Sequence, residues 1–231
     1  MKRLILTLII FNLINARDWV ELNSSEPVNP LWNINQISDD FIEISFEMGG
    51  YFSKKLSDGK TQITFPESVP ILEEGSPQLP RIARSIIIPD DANMTLSITE
   101  TKYVDIPIQN IEPSKGNLTR NINPDSVPYN YGDVYKEDAF YPSEISFMRD
   151  PYIMRSVRGQ TIVIQPIQLN PVKGMMRVYT EIELRVQRDG ISTINVLNKR
   201  PANGSIREFQ NIYKEHFLNY SLNERYETLG E

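Results

Sequence analysis

The sequence predicts an all-β protein: an antiparallel β-sandwich-like domain that ends in one amphipathic α-helix. Apolar and polar residues alternate in several short runs, which is the pattern of strands with one buried face. The 231 residues include 16 prolines, a residue that is typical of strand ends and turns and that interrupts helices. Helical spacing of large apolar residues is clear only near the carboxyl terminus.

The alternating runs predict the strands in chain order. The first covers residues 41–48, where Ile42, Ile44 and Phe46 share one face and a Gly-Gly pair ends the run. Further strands are predicted at residues 60–65, 84–88, 94–98, 160–169 and 176–186. The last two are joined by a short segment that contains proline and glycine, so we expect them to form an antiparallel hairpin.

The carboxyl-terminal helix is predicted over residues 206–220. Ser205 and Glu208 have the spacing of a capping box, in which each side chain bonds the backbone amide of the other residue. The large residues that then recur at helical spacing are Phe209, Ile212, Tyr213, Phe217 and Tyr220. Such a stripe packs against a neighbouring element. The single histidine, His216, lies beside the stripe, and without a cysteine to pair with it we expect a structural role.

Residues 1–16 have the order of a secretory signal peptide, with a basic start, an apolar core and Ala16 at the cut. The apolar run is shorter than the roughly 20 residues that cross a bilayer, so we expect cleavage after Ala16 and no retained membrane span. Residues 17–40 are polar and are predicted to be an extended segment that leads into the domain at residues 41–225. We therefore expect an exported protein, first periplasmic and then at the cell surface or secreted.

The composition argues against an enzyme, a metal protein and a nucleic-acid-binding protein. The chain has no cysteine, and therefore neither disulfides nor a thiol nucleophile. Its net charge of −6 is spread along the chain, whereas phosphate binding needs a concentrated basic surface. The pairs Asp39-Asp40 and Asp90-Asp91 lie in predicted turns, where such residues cap and solvate. The sequence has no phosphate loop, zinc-ligand cluster or serine-hydrolase motif, and we expect no cofactor, metal or nucleic acid.

Residues 112–142 lack periodicity and predict a long loop, which in a compact domain is usually functional or mobile. One arginine, Arg120, lies within it, and its tyrosines are Tyr129, Tyr131, Tyr135 and Tyr141. The residue pattern allows two interpretations of Arg120. It is either a solvated surface residue or the tip of a partly extended segment that enters a protease cleft, where a guanidinium can form a bidentate pair with a pocket carboxylate.

An ordered series of residues within and after this loop matches a known family. The series includes Pro113-Ser114-Lys115-Gly116, Arg120, Asn123-Pro124-Asp125, Pro128-Tyr129, Tyr131-Gly132, Asp150-Pro151, Val157-Arg158-Gly159-Gln160, Asn170-Pro171-Val172 and Ile212-Tyr213-Lys214. The likeness is dense from residue 75 to residue 220 and weaker before that. The chain in this range resembles the amino-terminal prodomain of the gingipains, the C25 family of cysteine proteases.

The resemblance implies a β-sandwich-like propeptide that assists the folding of an arginine-specific cysteine protease and inhibits it, holding it as a zymogen until cleaved. It implies that Arg120, flanked by Thr119 and Asn121, occupies the pocket meant for the arginine of a substrate. The catalytic cysteine and histidine of the family lie in the following domain, so we expect this chain to be non-catalytic. The expected partner is a C25-like catalytic domain, in cis or in trans.

The resemblance also places an arginine followed by a tyrosine after the final helix. Here these residues are Arg225 and Tyr226, in a polar segment of the kind that proteases reach easily. We therefore expect the propeptide domain to end at Arg225 and residues 226–231 to begin the protease. An arginine-specific protease would recognise Arg225, where cleavage separates the domains, and also Arg120, where cleavage destroys the inhibitor.

A second function class remains compatible with the same fold. An exported sandwich can also be a binding module for carbohydrate or a cell surface, because loops on a rigid scaffold commonly carry binding sites. In that case the tyrosine-rich stretch of residues 129–141 would be the contact patch. The coding sequence that follows Glu231 would distinguish the two classes, because an in-frame caspase-like α/β domain would support the propeptide.

Overall fold

The structure of the chain is a computed structural model that describes residues 17–38, 40–198 and 207–220. Its strands are β1 (Asp18–Glu21), β2 (Leu31–Ile37), β3 (Phe41–Glu47), β4 (Gly50–Lys55), β5 (Thr61–Thr64), β6 (Val69–Pro70), β7 (Pro80–Ile87), β8 (Ala92–Pro107), β9 (Ser146–Met148), β10 (Tyr152–Met154), β11 (Val157–Ile164), β12 (Ile167–Asn170) and β13 (Met175–Ile191). One α-helix, α1 (Arg207–His216), follows them. The predicted all-β class with a carboxyl-terminal helix is confirmed.

The strands form antiparallel sheets that share one core. In the largest sheet β13 pairs with β3, β8 and β12, and β3 pairs with β2. A second sheet has the order β10-β11-β7-β6, with β9 also paired to β11, and a third has the order β1-β4-β5. The buried residues that join the two large sheets in one cluster include Ile44, Phe46, Ile82, Ile86, Ile162, Ile164, Ile182 and Leu184. The alternation of apolar residues in β3 and β13 thus faces a sandwich core.

The predicted single strand at residues 160–169 is wrong, because the chain changes sheets within it. β11 pairs with β7, whereas β12 pairs with β13 in the other large sheet. The crossing lies at Gln165 and Pro166, and proline cannot donate to a strand ladder. The Gln165 side chain stabilises the crossing by donating to the Glu144 carbonyl oxygen at 2.8 Å. The predicted hairpin is present between β12 and β13.

The leading segment of residues 17–40 is extended and contributes two strands to the sheets. β1 pairs with β4, and β2 pairs with β3. The predicted strand at residues 94–98 is only the start of β8, which continues to Pro107. The rest of β8 shows no alternation of apolar and polar residues because it is mostly exposed on both faces. Its pairing with β13 also shifts register at three places.

The helix ends at His216 and not at residue 220 as predicted. Phe217 leaves the helix and forms a parallel bridge with Ser85 of β7. The next amide, that of Leu218, donates to the Ser85 carbonyl oxygen at 2.9 Å. The side chain of Asn219, which is buried, then accepts from the Ile87 amide at 2.7 Å and donates to its carbonyl at 2.8 Å. The segment after α1 therefore covers an edge of β7.

Several predicted features lie outside the described residues. These are the signal peptide with its cut after Ala16, residue Asp39, the capping residue Ser205 and the junction of Arg225 and Tyr226. Among the residues that are described, no helix combines the length and the apolar character needed to cross a membrane.

A buried arginine joins the end of β13 to the turn between β7 and β8. Arg158 of β11 is 1% exposed. Its guanidinium donates four hydrogen bonds of 2.7–3.0 Å to backbone carbonyl oxygens, those of Pro89, Ala92, Ile194 and Asn195. Burial lowers the pKa of Arg158, while the nearby carboxylates of Asp90 and Asp91 favour its charged form. A buried cation is tolerated here because all three nitrogens of its guanidinium donate to backbone acceptors.

We predict that Arg158→Ala lowers the free energy of unfolding by at least about 3 kcal/mol, because four backbone carbonyls lose their donor and a cavity remains in place of the buried side chain. Arg149→Ala is the matched control, since Arg149 is exposed, and it should change stability by less than about 0.5 kcal/mol. Urea unfolding followed by circular dichroism measures both. Equal stability of the two variants would show that the carbonyl cage around Arg158 is unimportant.

Candidate functional site

The candidate site is the long loop, residues 112–142, between β8 and β9. Its most exposed part, residues 119–126, includes Arg120. The Ile122 amide donates to the Thr119 carbonyl oxygen at 3.0 Å, which makes Arg120 and Asn121 the central residues of a turn. The Thr119 hydroxyl donates to the Asn121 side-chain oxygen at 2.6 Å. The three residues singled out in the sequence are thus brought together in one hydrogen-bonded corner.

Arg120 projects from this corner into solvent. Within the described residues its guanidinium makes no hydrogen bond or ion pair, so its donors are available to an external acceptor. The local conformation is a turn and not the partly extended segment suggested by the sequence. The reason is local, because the Thr119 and Asn121 side chains bond each other across the corner and favour the turn.

The neck of the loop, where its outgoing and returning limbs meet, is closed by Lys115. The Lys115 amino group donates to the Pro124 carbonyl oxygen at 2.7 Å. Pro124 begins a short 3-10 helix, Pro124–Ser126, whose first residues are capped by the Asn123 side chain accepting from the Asp125 amide at 3.0 Å. Residues 116–123 therefore form a small closed loop with Arg120 near its middle.

A buried carboxylate, Glu112, attaches the start of the loop to the core. Glu112 is 5% exposed. One of its carboxylate oxygens accepts from the Gln62 and Gln78 side-chain amides at 2.9 and 2.8 Å, and the other accepts from the Tyr129 hydroxyl at 3.1 Å. Its backbone also pairs on both sides, with Thr61 and Gln78. A buried carboxylate with this many donors fixes three distant segments relative to one another.

Tyr129 connects the returning limb of the loop to the same carboxylate. Two amino groups, those of Lys60 and Lys115, each lie 4.3 Å from the centroid of its ring. Such cation–π contacts attract both lysines to the ring. Burial, and then the charge of Glu112, raises the pKa of Tyr129 to about 12. The hydroxyl therefore remains protonated at neutral pH and keeps donating to Glu112.

A close backbone contact between Gly75 and Gly132 holds the second half of the loop. The Gly132 amide donates to the Gly75 carbonyl oxygen at 2.8 Å. A Cβ atom on Gly75 would lie 3.2 Å from the Gly132 amide nitrogen, and one on Gly132 would lie 3.1 Å from the Gly75 oxygen. Gly75 also has a φ of +80°, which other residues rarely adopt. Both positions therefore leave little room for a side chain where the two segments cross, and the φ of Gly75 favours glycine there in addition.

The tyrosines of the loop act mainly as anchors. The hydroxyl of Tyr135 donates to the Ile111 carbonyl oxygen at 3.3 Å, and that of Tyr141 donates to a Glu73 carboxylate oxygen at 2.8 Å. Tyr131 is 52% exposed and packs edge-on against Tyr135, with ring centroids 4.8 Å apart. A binding patch for carbohydrate needs several exposed ring faces, and Tyr131 is the one exposed tyrosine of the four, so the anchoring of Tyr129, Tyr135 and Tyr141 disfavours the binding-module interpretation.

The remaining sequence candidates take part in structural contacts. His216 lies with its Nε2 atom 2.5 Å from the Tyr152 hydroxyl and packs edge-on against Phe217 at 4.7 Å between centroids. Asp91 accepts from Arg188 at 3.3 Å. Within the described residues no group of three or more histidines or carboxylates is arranged to hold a metal ion.

Sequence reasoning missed the residues that fix the loop, namely Glu112, Lys115 and Tyr129. Their partners are far away along the chain, since Glu112 bonds Gln62 and Gln78 across 50 and 34 residues. A glutamate followed by proline in a loop gives no sign of burial, because charged residues in loops are normally solvated. Only the tertiary structure shows the three together.

Comparison with known proteins gives matches that cover most of the chain. The family description Propeptide_C25 matches residues 35–217. Gingipain R2 of Porphyromonas gingivalis is 35% identical over 209 residues, which are 88% of this chain and 28% of that protein. Lys-gingipain of the same organism is 24% identical over 201 residues, which are 84% of this chain and 11% of that protein. The chain thus spans less than a third of these curated relatives.

Two solved structures share the fold. One is the complex of Porphyromonas gingivalis RgpB pro- and mature domains, which matches with a TM-score of 0.71 and 33% identity over 84% of this chain and 100% of that chain. The other was solved for insight into the zymogenic latency of gingipain K and matches with a TM-score of 0.62 over 76% of this chain and 100% of that chain. Its identity is 19%, so this second likeness concerns the fold alone.

We predict that Glu112→Ala lowers the free energy of unfolding by about 2 to 3 kcal/mol, because three partly buried side-chain donors lose their acceptor. Glu137→Ala is the matched control, since Glu137 is an exposed glutamate of the same loop. Thermal unfolding of the two variants and the wild type measures the effect. An equal melting temperature for Glu112→Ala and Glu137→Ala would contradict the role given to the buried carboxylate.

Proposed function

We propose, from the premise that this chain belongs to the C25 propeptide family, that it assists the folding of an arginine-specific cysteine protease and inhibits it until cleaved. The match over residues 35–217 confirms the resemblance seen in the sequence. It is a match to a propeptide, which is the non-catalytic part of a protease precursor. The partner in this proposal is therefore a C25-like catalytic domain, in cis or in trans.

The solved relatives support the choice of partner. The structure at 33% identity is a complex of a pro-domain with its mature domain, which is the arrangement we propose for this chain. The relatives named gingipain are proteases several times longer than the matched region. The proposal thus adds a catalytic partner to a chain that itself contains no cysteine.

The observation that carries the proposal is the exposed Arg120, which has no partner in the part of the chain that the structure describes and lies on a loop with a rigid base. Ordering a mobile segment on binding costs free energy and weakens affinity. An inhibitor therefore binds more tightly when the loop that carries its recognition residue is already ordered. The neck at Lys115 and the carboxylate of Glu112 order the loop before any partner arrives. Arg120 then offers a planar guanidinium, which pairs with a pocket carboxylate through two parallel hydrogen bonds.

The proposal includes the route of the protein and its maturation. The signal peptide of residues 1–16, cleaved after Ala16, would export the chain to the periplasm and from there to the cell surface or medium. Cleavage between Arg225 and Tyr226 would separate the propeptide from the protease. Cleavage after Arg120 would inactivate the released propeptide, because the recognition residue would lie at a cut end.

We predict that Arg120→Ala weakens inhibition of the catalytic domain of gingipain R2 by at least about 30-fold, since a buried pocket carboxylate would lose its cation at a cost of roughly 2 to 5 kcal/mol. Arg120→Lys should lose part of the affinity, because an ammonium cannot reproduce the guanidinium fork. The measurement is the inhibition constant, with Arg149→Ala as the exposed-arginine control. Equal constants for wild type and Arg120→Ala would remove Arg120 from the mechanism.

We predict that a precursor carrying Arg225→Ala, in which the chain is followed by its protease domain, accumulates unprocessed. The physical reason is that an arginine-specific protease loses the guanidinium that its pocket binds at this junction. Amino-terminal sequencing of the mature protease from the unmodified precursor should give Tyr226 as the first residue. A different first residue, or normal processing of the Arg225→Ala precursor, would place the junction elsewhere.

A further inference from the structure

The closed neck of the Arg120 loop depends on a single amino group. Lys115 donates to the Pro124 carbonyl oxygen at 2.7 Å and lies 4.3 Å from the centroid of the Tyr129 ring. Both contacts join the outgoing limb of the loop, which carries Lys115, to the returning limb, which carries Pro124 and Tyr129. Arg120 lies between the two limbs, at the corner of its turn.

We propose that Lys115 is the positioning residue that makes this loop a lasting inhibitor of the protease rather than a substrate, an inference that rests on the proposed function. An arginine presented in the active site of an arginine-specific protease is also a cleavage site. Something in the loop must therefore oppose its destruction. The structure offers the Lys115 neck for this role.

The chemistry of cleavage shows how a closed neck would act. Hydrolysis adds one water to the bond between Arg120 and Asn121 and leaves a carboxylate on Arg120 and an amino group on Asn121. The loss of inhibition becomes permanent when the two new ends separate. While the neck holds both limbs, the ends stay at a high effective concentration, so the reverse reaction, which expels the water, competes with their departure.

The neck has a fixed base, which distinguishes it from an ordinary surface contact. The Tyr129 ring also lies 4.3 Å from the Lys60 amino group, and its hydroxyl donates to the buried Glu112 at 3.1 Å. Lys115 thus links the loop to a group that is attached to the core. A flexible stem with a compact cation suits this position, because the ammonium reaches a carbonyl oxygen and a ring face at the same time.

A lysine of the same loop provides the matched control. Lys136 is exposed, and its amino group pairs with the exposed Asp133 at 2.8 Å. Lys115→Met keeps most of the apolar stem and removes the ammonium, and Lys136→Met makes the same chemical change away from the neck. The two variants therefore separate the loss of a charge in the long loop from the loss of the neck.

The experiment follows inhibition over time. The wild-type chain and each variant are mixed with the mature catalytic domain of gingipain R2, and the hydrolysis of a small arginyl substrate is recorded while mass spectrometry measures cleavage of the bond between Arg120 and Asn121. We expect Lys115→Met to inhibit at first and then to lose inhibition about five- to tenfold faster than the wild type, in step with cleavage of that bond. Lys136→Met should behave as the wild type does.

Tyr129→Leu is the second variant, because it removes the ring on which Lys115 rests. If Lys115 and Tyr129 act together to close the neck, their effects should not add. The variant that combines Lys115→Met with Tyr129→Leu should then be cleaved no more than about twofold faster than Lys115→Met alone. Cleavage at the other arginine bonds reports general unfolding. Acceleration confined to the bond after Arg120 supports the proposal, and acceleration that is equal at all arginine bonds overturns it.

The same experiment gives different results if the proposed function is wrong and if only the role of Lys115 is wrong. If the proposed function is wrong, the wild type and both lysine variants will leave the hydrolysis of the small substrate unchanged. If only the role of Lys115 is wrong, all three chains will inhibit and will lose inhibition at the same rate.

Discussion

The buried carboxylate of Glu112 is the constraint on which the candidate site depends. Its two oxygens accept hydrogen bonds from β5, from the segment before β7 and from the returning limb of the long loop. A charge at 5% exposure is costly unless it is well paired, so these segments stabilise the carboxylate and are in turn held by it. The loop therefore has an ordered base even though its tip lies in solvent.

The arrangement divides the loop into an anchored part and a presented part. Tyr129, Tyr135 and Tyr141 place their hydroxyls on acceptors of the protein, and the contact of Gly75 with Gly132 fixes the crossing of the chain. Arg120 has no such partner among the described residues. The contacts that order the loop therefore lie mainly within the folded chain, and the Arg120 guanidinium remains available to a partner.

The sequence predicted the strands and the helix in which apolar residues recur at a regular spacing. β3 and most of β13 alternate cleanly, and the aromatic stripe at the carboxyl terminus indicated α1. The sequence could not show that Pro166 marks a change of sheet, that Phe217 leaves the helix to bridge Ser85, or that Glu112 is buried. Each of these depends on contacts between distant segments, which no local period records. The resemblance singled out Arg120 but did not reveal the contacts that fix its loop.

Hydrogen exchange on the free chain and on its complex with a C25 catalytic domain would show directly whether the Arg120 loop is the inhibitory contact. We predict that the amides of residues 117–123 exchange quickly in the free chain and become strongly protected in the complex. The amides of Glu112 and Ser114, which bond Thr61 and Ser76, should be slow in both states. Protection confined to another surface, with residues 117–123 unchanged, would contradict the claim that the Arg120 loop is the inhibitory contact.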